Sequence, residues 1–479
     1  MGGGRSFGHS VSARVLKALG MFGSVQIVNI LCSVVRTKLL SIWVGPVGVG
    51  LNALFDNTSE LVSSSTQLNL RQSSVRDISA TEDEQGRLLM AAVVLRWGLW
   101  LGLAGVAVMA LLAPLFSYVS FGNQDYTGQF VLLSTLIVAL GLANAYMAVM
   151  QGFGLLKELA RGRLVSGVVA TSLAIPAYWL WGLAAIVPVL MIYKFTIMAV
   201  YRFEMRSLIP RMPRPTLSQA FTLGRGFLKF GAYITFANLF MVVIQYIFSV
   251  YLNRTVSTEE LGVYQAGNTL VSSYIGFIFT AVSLEYYPRL AARVKSLWRM
   301  SVTVNHEVVL LMWVIVPMLV VFECCSDFFV RLLYSSRFEA VVPYVAIAVV
   351  GAVFRGVSVC FSFALLARGD GRAYVIVEGV SCLFGLTANI VAYELFGFVG
   401  LGVAYLVWYA FYATMTAVVC RRRYGMTVNP TTVRLSIAAA AVVGAAAAMK
   451  AIAGWWLPTI AILPWLIPLS LRRLRKISG

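Results

Sequence analysis

The sequence predicts an all-helical protein that crosses a membrane many times, and three observations carry that expectation. Hydrophobic residues make up 59% of the 479 and charged residues only 12%, where a soluble domain carries about a quarter charged residues. The apolar residues come in runs that match the roughly 20 residues a helix needs to span a bilayer. The basic residues fall between those runs. No soluble domain remains once the runs are removed. The longest polar interval, Arg202 to Gly226, is rich in Arg and Pro and reads as a loop.

Taken in order, the runs place helices at 15–44, 51–75, 88–118, 127–152, 163–181, 183–201, 224–252, 260–288, 308–333, 343–367, 374–394, 398–420, 432–451 and 454–471, about fourteen spans in all. No small-residue cleavage site follows the first run, so it is expected to stay as a helix. The grouping expected is a six-helix bundle in 1–202, a cytoplasmic linker in 203–223 and a second six-helix bundle in 224–423. Two extra helices and a basic tail follow in 424–479.

Orientation follows from the cations. With the N-terminus in the cytoplasm, about 29 of the 38 Lys and Arg residues fall in or beside cytoplasmic segments, including Arg421, Arg422, Arg423, Arg472, Arg473, Arg475 and Lys476. About four fall outside: Arg254, Arg331, Arg337 and Lys450. This asymmetry is the positive-inside pattern, and it places both termini in the cytoplasm. The same distribution disfavours nucleic acid as the partner of the +19 net charge and favours anionic lipid headgroups.

Six cysteines show neither CxxC nor Cys/His spacing, and the only histidines are His9 and His306. No metal site is expected. The pair Cys324–Cys325 reads as two small apolar side chains in a helix.

A faint internal repeat runs through the map. Leu16-Lys17 opens the first span and VGLNALFDNTSELVSS (Val49–Ser64) follows; Leu228-Lys229 opens the seventh and LGVYQAGNTLVSS (Leu261–Ser273) follows. Six helices per copy would make the repeats parallel, related by a pseudo-two-fold along the membrane normal, as in some transporters.

The second span is the most informative. Asn52, Asp56, Glu60, Ser63, Gln67 and Arg71 recur at three- and four-residue spacing and so share one helix face. Two acids in mid-span cannot face lipid, at about 2.5–3.5 kcal/mol for one acid at the bilayer centre. The face lines a polar cavity, or the acids sit in internal salt bridges. Both readings are open. Gln26, Asn29, Ser33 and Arg36 form a similar face in the first span. Lys38 lies about 200° around that helix from Arg36. Asn238, Gln245 and Ser249 in the seventh span and Gln265, Asn268, Ser272 and Gly276 in the eighth follow the same pattern.

Five cations lie within spans: Arg36, Lys38, Arg96, Lys194 and Arg355. Lys194 and Arg96 are close enough to span ends to snorkel to the surface. Arg36 and Arg355 lie deeper. They either line a cationic interior suited to phosphate, since a guanidinium stays charged and forks onto its oxygens, or pair with Asp56, Glu285 or Glu378.

These residues resemble those of the Wzx-type polysaccharide flippases, in the superfamily that also holds multidrug exporters of the MATE type and lipid II flippases. GPVGVGL (Gly45–Leu51) resembles that family's turn between its first two helices, and VRDIS (Val75–Ser79) the end of its second. LKF (Leu228–Phe230) resembles the start of the second repeat. GVYQAGNTLVSSYIGFIFTAVSLEYYPRLAA (Gly262–Ala292) resembles its eighth helix, with Glu285 where an aromatic residue is expected. The resemblance runs from about 15 to 425.

It implies a non-enzymatic transporter of the bacterial inner membrane. Such a protein would move a polyprenyl-diphosphate-linked oligosaccharide, an O-antigen or related surface glycan unit, from the cytoplasmic to the periplasmic leaflet by alternating access. On this expectation Arg36, Arg96 and Arg355 hold the diphosphate or acidic sugars, and Lys38 and Lys194 line the path. Asn52, Asp56, Glu60, Gln67, Asn238, Gln245 and Asn268 bond sugar hydroxyls. Asp56 or Glu60 is the candidate for coupling to a proton or sodium ion, and no other cofactor is expected. Membrane lipids and polysaccharide polymerase machinery are the expected partners of a monomer. The alternatives are a MATE-like drug exporter, which calls for an acidic cavity, and a membrane glycan polymerase or glycosyltransferase, which calls for a longer outer loop than any here.

Overall fold

The computed structural model describes residues 28–478, except the side chains of Ala237, Tyr274, Phe277, Pro288 and residues 280–285 and 475–478. Gln26, His9, the Leu16-Lys17 half of the repeat and the Glu285 side chain therefore lie outside the described part. Within it the chain is helical throughout and forms two compact units, 1–262 and 263–479.

The first unit contains α1 (28–43), α2 (Gly45–Thr66), α3 (Leu70–Ala80), α4 (Glu84–Leu111) and α5 (Ala113–Phe121). It continues through α6 (Thr127–Gly152), α7 (Leu156–Trp181), α8 (Ile186–Glu204) and α9 (Leu217–Thr255) to the start of α10 (Thr258–Asn268). α9, which the sequence reading placed at the head of the second bundle, packs along α2, α3, α4 and α5. A capping box opens it: the Thr216 hydroxyl accepts from the Gln219 backbone N–H at 3.2 Å, and the Gln219 side-chain Oε1 accepts from the Thr216 N–H at 2.9 Å. That arrangement satisfies two of the helix's orphan donors.

The second unit continues with a π-helical turn (Thr269–Ile275), α11 (Gly276–Ala291), α12 (Leu297–Cys324) and α13 (Ser326–Leu333). Then come α14 (Val342–Ala367), α15 (Gly371–Tyr424), α16 (Pro430–Ala453), α17 (Trp456–Ala461) and α18 (Leu463–Ser478). α16 is tied to the end of α12 by Lys450, whose ammonium lies 3.2 Å from Asp327 and 3.8 Å from Glu323 and donates to the Ser326 hydroxyl at 2.5 Å. At the other end Asp370 caps α15, accepting from the Ala373 N–H at 3.0 Å and the Tyr424 hydroxyl at 2.7 Å, with Arg423 at 2.7 Å. The Tyr424 hydroxyl and then the Ala373 N–H hold the Asp370 carboxyl below the usual carboxylate range.

Seven helical stretches of the described residues are long and apolar enough to cross a membrane, and the bent α9 makes an eighth. Two of the seven exceed what a bilayer needs. Leu156–Glu204 has 49 residues and Gly371–Tyr424 has 54, about 73 and 80 Å of helix against a hydrocarbon core of about 30 Å. Both are hairpins. Each turns on a glycine in the left-handed region, Gly182 (φ 52°) and Gly397 (φ 57°), where a Cβ would be strained.

The side chains confirm the antiparallel packing. Arg161 bonds Glu204 at 2.9 Å across the first hairpin. In the second the Trp408 indole donates to the Ser381 hydroxyl at 3.0 Å, and the Phe384 and Phe411 rings stack at 4.2 Å.

Candidate functional site

The helix expected over 51–75 is broken within its length. α2 stops at Thr66, and Leu68 (φ 48°) and Asn69 (φ 44°) are both left-handed. Asn tolerates that region; Leu does not, and such residues cost about 1–3 kcal/mol each. Two devices hold the break. Gln67 is buried, donating its amide to the Ile137 carbonyl at 3.2 Å and accepting from the Asn144 amide at 2.8 Å. On the other side α9 presents Gly231, where a Cβ would come within 2.0 Å of the Leu68 carbonyl oxygen. Only glycine permits that approach. The chain then restarts as α3 and sets Arg71 beside Arg36 and Arg163.

Those three arginines line one cavity of about 270 Å³. Its other polar walls are Asn29, Ser33, Ser166, Thr171, Tyr193 and Tyr201, and among the described residues no carboxylate lines it. The Arg36 guanidinium lies over the Tyr193 ring, 4.4 Å from its centre. Among the described residues none of the three arginines is within ion-pair distance of an acid, although Arg161, two residues before Arg163, is paired with Glu204. Positions two apart on a helix differ by about 200°. Arg161 therefore points away while Arg163, Ser166, Gly167 and Thr171 share the cavity face.

Two further cavities adjoin the first through shared residues. One of about 90 Å³ shares Arg36 and Tyr193 and is lined by Asn52, Asp56, Tyr178 and Lys194. In it Lys194 pairs with Asp56 at 3.5 Å. The other, of about 380 Å³, shares Arg71 and is lined by Glu60, Ser63, Ser64, Gln67, Asn69, Gln72, Asn144, Thr235 and Asn238. The three form a polar tract within the first unit, strongly cationic at its centre.

Of the residues expected from sequence, Arg36, Asn52, Asp56, Glu60, Gln67, Lys194 and Asn238 lie on this tract. Gln67 lies on it as a structural pin. The salt-bridge alternative is the one found for Asp56. The remaining candidates sit elsewhere. Arg96 donates to the Pro215 carbonyl and lies over the Trp100 ring. Lys38 is half-buried at the carbonyl that accepts from Ser41 at 2.8 Å, and it lines none of the three cavities. Gln245 is exposed on α9. In the second unit the Asn268 side-chain Oδ1 accepts from the Ser272 hydroxyl at 2.9 Å.

Arg355 donates to the Ser272 carbonyl at 3.4 Å and the Tyr405 hydroxyl at 3.2 Å, under the rings of Phe279 and Tyr409 at 5.4 and 5.6 Å. It is not paired with Glu378, which accepts from the Tyr412 hydroxyl. Sequence reasoning left Arg71 out of the site and missed Arg163 altogether. The signal for Arg163 was the stripe it makes with Ser166, Gly167 and Thr171. Among the described residues no group of three His, Cys, Asp or Glu side chains gathers as a metal site.

Comparison with known proteins places this arrangement. The chain is similar to the lipid III flippases of Escherichia coli (strain K12) and Shigella flexneri, each 24% identical over 362 residues, 71% of this chain and 82% of the relative. Among solved structures it shares its fold with the lipid II flippase MurJ in an inward closed conformation. That match has a TM-score of 0.71 at 12% identity and covers 95% of this chain and 98% of the other. An inward-facing multidrug resistance MATE family transporter matches with a TM-score of 0.64 at 13% identity, over 83% and 98%. The family described as polysaccharide biosynthesis protein matches residues 79–343, more than half of the chain. The protein belongs to that family.

Proposed function

We propose that this protein is a flippase for polyprenyl-diphosphate-linked oligosaccharide, an O-antigen or related surface glycan unit, carried from the cytoplasmic to the periplasmic leaflet of a bacterial inner membrane. One observation carries the reading: Arg36, Arg71 and Arg163 line a single cavity with no acid among the described residues to neutralise them. Three unpaired cations inside a membrane protein are costly unless an anion completes the site. A diphosphate offers the charge and the planar oxygen pairs that guanidinium groups bind best.

The related flippases support the lipid-linked class of substrate. A drug-exporting function is disfavoured by the same three charges, which would repel organic cations. On this reading the chain crosses the membrane about fourteen times, with both termini cytoplasmic, and works by alternating access as a monomer beside polysaccharide polymerase machinery. Asp56, paired with Lys194, is the group through which a proton or sodium ion would act: neutralising it frees the lysine for substrate.

The test is transport in proteoliposomes with a short-chain polyprenyl diphosphate carrying one sugar, scored by protection from an external enzyme. The wild type should equilibrate the lipid across the bilayer. Arg36→Ala with Arg163→Ala should abolish transport while keeping insertion and monodispersity. Full transport by that double variant would sink the reading.

A further inference from the structure

The 380 Å³ cavity differs from its neighbour in one respect that sets what it can hold: its walls carry a carboxylate. Glu60 is exposed, accepts only from the Ser64 hydroxyl at 3.1 Å, and among the described residues has no cation within ion-pair distance. Arg71 lines the same cavity without pairing to it. A cation and an anion on the walls of one space, left apart, suit a ligand with matching polarity. That ligand is anionic at the Arg71 end and rich in hydrogen-bond donors at the Glu60 end.

The uncharged groups extend the pattern. One N–H of the Asn144 amide is given to Gln67, and Gln72 and Asn238 are exposed amides on the same lining. The volume lies in the range of small-molecule sites, about 300–1,000 Å³.

We propose that this cavity seats the sugar joined directly to the diphosphate, and that Glu60 makes it select a sugar presenting hydroxyl or N-acylamino donors and reject one bearing a carboxylate. This rests on the proposed function, because it is the diphosphate in the arginine cavity that delivers the sugar here. Arg71 belongs to both linings, so a phosphate held on it leaves the next group of the same molecule in this cavity. With Arg71 engaged by phosphate, Glu60 is the remaining charge on the wall. A sugar hydroxyl or N–H donates to it; a uronate meets a like charge on the same wall, which is unfavourable.

The experiment measures affinities of the purified full chain, wild type and Glu60→Gln, for three probes. These are farnesyl diphosphate, farnesyl-diphosphoryl-N-acetylglucosamine and farnesyl-diphosphoryl-glucuronic acid, with folding checked by thermal unfolding and gel filtration. A donor bond to a carboxylate outweighs one to a neutral amide by about tenfold in affinity. The wild type should therefore prefer the N-acetylglucosamine probe to the glucuronic acid probe by at least about tenfold. Glu60→Gln should erase most of that preference, binding the N-acetylglucosamine probe more weakly and the uronate better. Equal preference in the two proteins overturns this inference alone. Failure of the wild type to bind farnesyl diphosphate overturns the arginine-cavity reading and this inference with it.

Discussion

Arginine serves opposite ends in the two units. In the first, Arg36, Arg71 and Arg163 border open space, and the partners the structure gives them leave their forks facing a cavity. In the second, Arg355 is enclosed, its guanidinium held by one backbone carbonyl and one tyrosine hydroxyl beneath two aromatic faces. The cavity described for the second unit is apolar instead, about 320 Å³ between α14, α15 and α16, lined by Phe354, Phe361, Val418, Val433 and Ile437. Depth in the membrane therefore does not mark a ligand-binding cation; unfilled volume beside it does.

The most forceful way to break this comparison is to remove charge from the open site. Arg36→Ala with Arg163→Ala should lower the affinity for pyrophosphate by about a hundredfold or more, since each charge-assisted bond contributes about 1.5–3 kcal/mol. Its melting temperature should stay close to wild type. Calorimetric titration in detergent reads the first quantity and a thermal melt the second.

Arg355→Ala should show the reverse. It empties an enclosed site and removes the donor to the Ser272 carbonyl and the Tyr405 hydroxyl, so a loss of about 2–4 kcal/mol is expected, with pyrophosphate affinity within a factor of about two. A large loss of affinity in that variant would make the two sites alike.

Gln67→Leu sharpens the picture from within the first unit. The Ile137 carbonyl and Asn144 amide lose their partner, at a cost of about 1–3 kcal/mol. Arg71 loses its fixed position, so affinity should fall several-fold while stability also drops. That joint signature separates a positioning residue from the cations themselves.

The smallest effect should come from Asp370→Asn, which touches neither site. The Asp370 carboxyl has a lowered value in the folded chain, so its contribution to stability is complete above its unfolded value, near 3.9, and is lost as pH falls through the folded one. The melting difference between wild type and variant should be constant from about pH 5 to 8 and shrink below pH 4. A difference that persists unchanged to low pH would show that charge plays no part in this cap.

Much of the fold was legible because its signals are local. Apolar run length separated the two helices of each hairpin, at 163–181 and 183–201 and at 374–394 and 398–420, and three- and four-residue spacing put Asn52, Asp56, Glu60 and Gln67 on one face. The break after Gln67 was not legible: Leu68 and Asn69 are neither glycine nor proline, and the bonds that hold them there reach 70 and 77 residues along the chain. Arg163 was hidden for a different reason. It stands in a cluster with Lys157 and Arg161, and such clusters are ordinarily solvated, so its inward direction shows only against the helix turn that separates it from Arg161. Arg96 and Arg355 lie inside long apolar helices, as their place in the runs implied, yet what surrounds them comes from elements distant in sequence.

The hairpin turned on Gly182 also bears on how the protein is made. Only the 3-10 turn Gly182–Ala185 separates α7 from α8, so the ribosome delivers the two as one continuous length with no hydrophilic tether to wait in the translocation channel. Entry as a preformed pair allows the side of α7 bearing Arg163 and the side of α8 bearing Lys194 to travel without facing acyl chains. By then Asp56 has already been synthesised, and the arriving lysine finds its counter-ion in place. Lengthening that turn with a few polar residues would let the helices arrive one at a time, and biogenesis would register the change before transport did.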